Sequence, residues 1–258
     1  MKTQRKPMMA GNWKMNHTHL EAIQVVQKLS YRLNAGDYEN VEVVVCPSFT
    51  ALRSVQTTLD SDRIPIALGA QNVHFEPSGA YTGEVSPTML AKLHVQYVIV
   101  GHSERRELFG ETDDIVAAKL RAVIGAGMNP IVCCGETLEE REAGGAEAKV
   151  VAQITAAFHG LSSAAVEEVV VAYEPIWAIG TGRSATSEDA NAMCALVRNT
   201  LRDVVGAVAD TIRVLYGGSV KPGNIAELMS ESDIDGGLVG GASLDPDEFA
   251  RIIAFKNV

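Results

Sequence analysis

Apolar positions along this chain come in two rhythms. Short runs at 8–13, 41–46, 66–70, 97–100, 130–133, 169–173, 212–216 and 236–239 are apolar almost throughout. Strands covered on both faces have this look. Longer stretches at 19–33, 49–58, 87–93, 115–126, 139–158, 188–205, 224–229 and 247–253 mix apolar and polar positions, as surface helices do. Several of them open on helix-start signals: Ser86-Pro87, Thr186-Ser-Glu-Asp189 and Asp245-Pro246. The unit is a strand followed by a helix, repeated along 258 residues with no linker or low-complexity segment between repeats. Right-handed crossovers repeated about eight times close most economically into a (β/α)8 barrel, an α/β fold of parallel strands with outer helices. A single barrel domain over residues 1–258 is therefore expected, with a doubly wound open sheet as the alternative.

In such a barrel the chemistry gathers where strands end. After the first strand stand Asn12, Trp13 and Lys14; after the fourth, Gly101-His102-Ser103-Glu104; after the sixth, Glu174; after the seventh, Gly217-Gly218-Ser219; after the eighth, Gly240-Gly241. The sixth is the most telling. Glu174 closes an apolar run, Pro175 takes the chain stiffly out of the sheet, and Gly180 and Gly182 free the far end of the loop. Between these two hinges Ile176, Trp177, Ala178 and Ile179 are apolar, which suits a lid that covers the carboxylate and strips its water. A desolvated carboxylate is a stronger base.

Proton transfer beside a carbonyl in an anionic substrate uses each of these groups. Glu174 can take a proton from carbon, and His102 can donate to the carbonyl and shuttle protons between adjacent oxygens. Ser103-Glu104-Arg105-Arg106 opens a short helix whose positive end would keep the imidazole neutral. Lys14 supplies the local positive charge that an enediolate and a phosphate require, and Asn12 can hold an oxyanion. The glycine turns after strands seven and eight are where barrels often bind phosphate through backbone N–H groups.

Composition narrows the classes. A net charge of −10 argues against nucleic-acid partners and acidic membrane surfaces, and no apolar run approaches the ~18 residues that span a bilayer. Lys2, Arg5 and Lys6 make the start basic, but no apolar signal core follows, so a cytoplasmic protein is expected. Cys46, Cys133, Cys134 and Cys194 lack metal-ligand spacing and read as buried thiols. His17, His19, His74, His94 and His159 read as structural or surface residues. Gly180-Thr-Gly-Arg-Ser-Ala185 matches a dinucleotide fingerprint, but the intervening loop separates it from its strand and makes it a decoy.

Five segments, Gly11-Asn-Trp-Lys-Met-Asn16, Gly101-His-Ser-Glu-Arg-Arg106, Ala172-Tyr-Glu-Pro-Ile-Trp-Ala-Ile-Gly-Thr-Gly182, Tyr216-Gly-Gly-Ser-Val220 and Leu238-Val-Gly-Gly-Ala-Ser-Leu244, together resemble the triosephosphate isomerase family. They run nearly end to end and in the family's order. The resemblance implies a TIM barrel and interconversion of dihydroxyacetone phosphate and glyceraldehyde 3-phosphate through an enediolate, in glycolysis and gluconeogenesis, without cofactor or metal. The family's known roles, rather than anything the spacing shows, make Glu174 the base and His102 the electrophile and proton shuttle, with Lys14 and Asn12 as electrostatic stabilisers. The resemblance further implies phosphate contacts from the backbones of Gly180, Ser219, Gly240 and Gly241. Ile179 and Leu238 would pinch the base under the closed lid, Trp177 would be a lid residue, and Glu104 would position Lys14. Residues 71–83 match a loop that in relatives enters the neighbouring subunit with a threonine, here Thr82, so a homodimer is implied. Departures from the family pattern are Arg183 in the second hinge, Cys134, Gly237 in the eighth strand and Ser48. Two rival classes are a phosphosugar-binding barrel without catalysis and another barrel isomerase or lyase acting on phosphorylated carbohydrates.

Overall fold

Residues 5–179 and 185–257 are described by the structure, a computed structural model. Eight parallel strands close into a barrel in sequence order: β1 (Met8–Asn12), β2 (Glu42–Cys46), β3 (Ala67–Ala70), β4 (Tyr97–Val100), β5 (Asn129–Cys134), β6 (Val170–Tyr173), β7 (Arg213–Tyr216) and β8 (Gly236–Val239). Closure is direct, because β8 pairs with β1 from Met8↔Gly236 to Gly11↔Val239. The doubly wound sheet is thereby excluded: an open sheet leaves two unpaired edges, and this one has none.

Strand side chains alternate between two cores. Met8, Ala10, Val44, Cys46, Ile99, Ile131, Cys133, Val170, Ala172, Leu215 and Leu238 fill the barrel interior. Their neighbours in sequence, Met9, Val43, Val45, Val98, Val100, Val132, Cys134 and Val171, pack outward under the helices. Those helices are α1 (His19–Arg32), α2 (Ala35–Asn40), α3 (Phe49–Asp62), α4 (Pro87–Ala91), α5 (Ser103–Phe109) and α6 (Asp113–Gly125) in the first half. The second half adds α7 (Leu138–Glu142), α8 (Ala146–Phe158), α9 (Ser187–Val205), α10 (Ile225–Ser230) and α11 (Pro246–Ile253). No helix among the described residues is long and apolar enough to cross a membrane.

Two expectations about elements need correction. The stretch at 139–158 is broken into α7 and α8, because Gly144 adopts φ 74°, a left-handed conformation that stops a helix. The short α2 was not expected; Asn34 creates it by accepting from the amides of Gly36 and Asp37 while the Asp37 carboxylate accepts from the Asn34 amide. Of the family departures, Gly237 leaves no hole, since a Cβ there would already meet the Val239 side chain at 3.3 Å. Its neighbour Gly236 is obligatory: φ is 152° and a Cβ would lie 1.8 Å from the Met8 carbonyl. Ser48 precedes α3 and pairs its hydroxyl with Thr50 at 3.0 Å.

Candidate active site

Strand ends place the polar groups. Asn12, last in β1, is buried and accepts from the Lys14 amide at 3.1 Å. Lys14 itself sits at φ 53°, a conformation an L side chain rarely adopts. Gln71 helps to hold it there, donating to the carbonyls of Lys14 at 2.8 Å and Cys46 at 2.9 Å. The bent backbone sends the ammonium to Glu104 Oε1 at 2.5 Å. Both partners are partly solvated, so the pair orients Lys14 more than it stabilises the fold.

His102 follows β4 and caps α5, its Nδ1 accepting from the Glu104 amide at 3.2 Å. A ring nitrogen that accepts carries no proton, so the proton stands on Nε2. That Nε2 lies 3.1 Å from Oε1 of Glu174.

Glu174 is almost wholly enclosed at 1% exposure. Its amide donates to Cys134 at 2.7 Å, prolonging the β5–β6 ladder, and its Oε2 accepts from the Ser103 amide at 2.9 Å. Oε1 has no well-aligned hydrogen bond among the described residues. Two glycines make room for it. A Cβ at Gly135 would fall 1.8 Å from the Glu174 carbonyl, and one at Gly217 would come within 2.9 Å of the Glu174 Cγ. Inside the barrel Cys133 faces the same carboxylate; burial and that negative charge push its thiol well above the ordinary range, so it is protonated.

The first part of the expected lid is a 3-10 turn over Ile176–Ala178. Trp177 donates from Nε1 to Glu136 Oε1 at 2.9 Å, and the Arg141 guanidinium lies 5.0 Å from its ring centroid. Tyr173 also donates to Glu136 Oε1, at 3.0 Å. The loop thus leaves β6 docked on a fully buried carboxylate. Gly180, Gly182 and Arg183, the expected second hinge and one expected phosphate contact, lie outside the described residues, as does most of the fingerprint decoy.

One cavity of about 550 Å³ is bordered by Asn12, Lys14, His102, Glu174, Ile179, Ser219, Leu238, Gly240 and Gly241. Every candidate catalytic and phosphate residue within the described part of the chain meets there. Gly240 faces the Lys14 side chain, with 3.7 Å left between a Cβ and Cε, and open space lies before Gly241. Gly218 has a different reason to lack a side chain: a Cβ would strike the Tyr216 hydroxyl at 2.2 Å. Glu104 and Trp177 support the rim from behind, whereas Thr82 stands exposed on a separate loop. That loop has its own ring contacts, His74 stacking on Phe75 at 4.5 Å and lying tilted against Tyr81 at 4.2 Å.

Glu136, Gln71 and Tyr216 also shape the site and were not among the expected residues. Glu136 follows β5 as Glu174 follows β6, and that strand-end position was the available signal. Gln71 likewise directly follows β3. For Tyr216 burial pushes the hydroxyl up to about 12, opposed by the Ala185 backbone, and only the fold shows that strand β7 turns it toward the segment before α9.

A family model described as triosephosphate isomerase matches residues 7–256. Among similar curated proteins, the triosephosphate isomerase of Saccharopolyspora erythraea is 55% identical over 251 residues, covering 97% of this chain and 96% of the relative. That of Streptomyces coelicolor is 52% identical over 256 residues, 99% of each chain, and that of Leifsonia xyli subsp. xyli is 54% identical over 255 residues, 98% of each. A match that runs through all eight strands and every strand end of the cavity leaves one conclusion: the chain belongs to the triosephosphate isomerase family.

Proposed function

We propose that Glu174 and His102 carry out the isomerisation of this family, interconverting dihydroxyacetone phosphate and D-glyceraldehyde 3-phosphate in one catalytic domain. The substrate phosphate sits on the backbone N–H groups of Ser219, Gly240 and Gly241, which directs the three-carbon chain inward. Glu174 takes a proton from the carbon beside the carbonyl, leaving an enediolate. The His102 Nε2–H donates to the developing oxyanion and moves a proton between the two oxygens, while Lys14 and Asn12 offset the charge. Glu174 then returns its proton to the neighbouring carbon. Hydrogen moves only as protons, so no step calls for a redox cofactor. Closure of the loop that begins at Pro175 brings Ile179 over the carboxylate opposite Leu238 and excludes water.

The observation that carries this reading is the pairing of a buried carboxylate oxygen without an aligned partner and an imidazole N–H 3.1 Å away, both on the wall of one cavity that Lys14 and the glycine turns also border. A non-catalytic sugar-phosphate binder would have no use for that pair. Glu174→Gln is the test, because it keeps the shape and removes the base. Turnover followed through a coupled dehydrogenase should fall by roughly 10³-fold while a non-reacting phosphate ligand binds within a few-fold of the parent. Undiminished turnover would refute the assignment.

The same reading makes the chain a homodimer in which the loop at 71–83 brings Thr82 to the neighbour's site. Supporting this, Tyr81 is 44% exposed, Met89 58%, and Met15, next to Lys14, 95%. Four buried, unpaired cysteines suit the reducing cytoplasm, and the net charge of −10 suits a protein without nucleic-acid or membrane partners.

A further inference from the structure

His102 and Glu174 stand at the ends of β4 and β6, and β5 runs between them. Their spacing therefore depends on two seams rather than one. The β5–β6 seam is closed past its last ladder pair by the Glu174 amide on Cys134 at 2.7 Å. The β4–β5 ladder ends at Val100↔Val132, one residue short of the site. There a side chain takes over from the backbone. Arg106, one turn into α5, reaches back with Nε to the Gly101 carbonyl at 2.8 Å and with Nη2 to the Cys133 carbonyl at 3.3 Å. These are the two residues that follow the last ladder pair, and they are also the residue before His102 and the residue whose thiol faces Glu174. Asp113, in the first turn of α6, holds Nη1 at 2.5 Å and so fixes the plane of the guanidinium. Gly101 has φ 70°, and its missing side chain leaves the space that Val116 and the Arg106 Nη2 fill; a Cβ would meet them at 2.9 and 3.0 Å.

We propose that Arg106 is a positioning residue for the isomerisation: its guanidinium clamps the ends of β4 and β5 together, and so sets the distance between His102 and Glu174. The inference rests on those two residues being the proton-handling pair. Arg106 does not border the substrate cavity and touches no reacting atom. Its planar fork spans two carbonyls and a carboxylate at once, a geometry that an ammonium cannot reproduce.

A merely structural tie between α5 and α6 would give the same contact to Asp113, so the test separates the two. Arg106→Lys keeps the charge opposite Asp113 and loses the fork across the carbonyls. Its kcat should drop about ten- to a hundredfold, as misplacement of reacting groups by ångströms does, with KM within about threefold of the parent. A planar hydroxamate mimic of the enediolate should weaken by the same factor as kcat/KM, while glycerol phosphate, a ground-state mimic, keeps its affinity. Asp113→Asn keeps the Oδ1 acceptor that fixes the guanidinium plane and removes only the charge, so it should lower Tm with kcat changed less than about twofold. Should Arg106→Lys fold poorly, Arg106→Ala with added guanidinium gives a second readout: restored kcat is expected. A folded Arg106→Lys with parental kcat, equal weakening of both mimics, or no response to guanidinium would overturn the proposal. Failure of the underlying reading is distinguishable, since Glu174→Gln would then keep its turnover.

Discussion

Lys14 holds a left-handed backbone at φ 53° that, for a residue with a side chain, costs on the order of 1 kcal/mol. Its neighbours impose this conformation, because Asn12 takes its amide and Gln71 its carbonyl. The return is position: the twist brings the ammonium to Glu104 and onto the cavity wall. Replacing Lys14 with Gly should relieve the strain and remove the charge together. Urea unfolding is expected to show stability unchanged or raised by about 1 kcal/mol, and kcat/KM is expected to fall by about 10²-fold or more. A variant that loses stability and activity in parallel would show that Lys14 serves the fold rather than the chemistry. Of this arrangement the sequence displays a cation after a strand, but not the reversed φ, since no glycine or asparagine marks it. Gln71 shows only as a polar residue after a strand, because its role needs β1 and β3 to flank β2 in the barrel.

At the scale of elements, the apolar runs located all eight strands to within a residue or two, because strands covered on both faces have no polar register to confuse. Helix ends were less legible where a single cap decides them, as at Asn34 and Gly144. The loop at 71–83 carries the proposed homodimer, and its shape is set by its own residues. Gly79 lets the Tyr81 ring lie against the backbone, 2.8 Å from where a Cβ would be, while His74 stacks on Phe75 and lies tilted against Tyr81. A half-exposed aromatic cluster held by its own ring contacts suits association in the proposed dimer. Tyr81→Glu should therefore sediment at the mass of one chain at concentrations where the parent sediments at twice that mass, and it should lose turnover with the neighbour's contribution. Parent and variant both sedimenting as single chains would remove the homodimer from the proposed function.

At the scale of the whole molecule the two barrel ends carry opposite duties. The end where strands begin has its own partly buried polar network, joined across three strands that are distant in sequence. Glu42 of β2 accepts from the Tyr97 hydroxyl of β4 at 2.5 Å and pairs with Arg213 of β7, which also donates to that hydroxyl at 3.1 Å. None of this was legible beforehand, because each residue is the first of its strand and reads as an ordinary boundary until the barrel closes. Burial pushes the Glu42 carboxyl up, but the Arg213 charge and the bonds from Tyr97 and Arg213 outweigh it and hold it below its ordinary value of 4.5. A carboxyl lowered in the folded state binds fewer protons there than in the unfolded chain, so its contribution is complete above about 4.5 and disappears as pH falls through the lower folded value. Glu42→Gln should thus cost roughly 1–2 kcal/mol near neutral pH, less than a fully buried pair because the site is partly solvated. The gap between parent and variant in urea should narrow steadily below about pH 4, while kcat near neutral pH stays that of the parent, because the network lies at the opposite end of the barrel from Glu174. A gap that persists into acid would mean that packing, not the ionised carboxylate, is what Glu42 contributes.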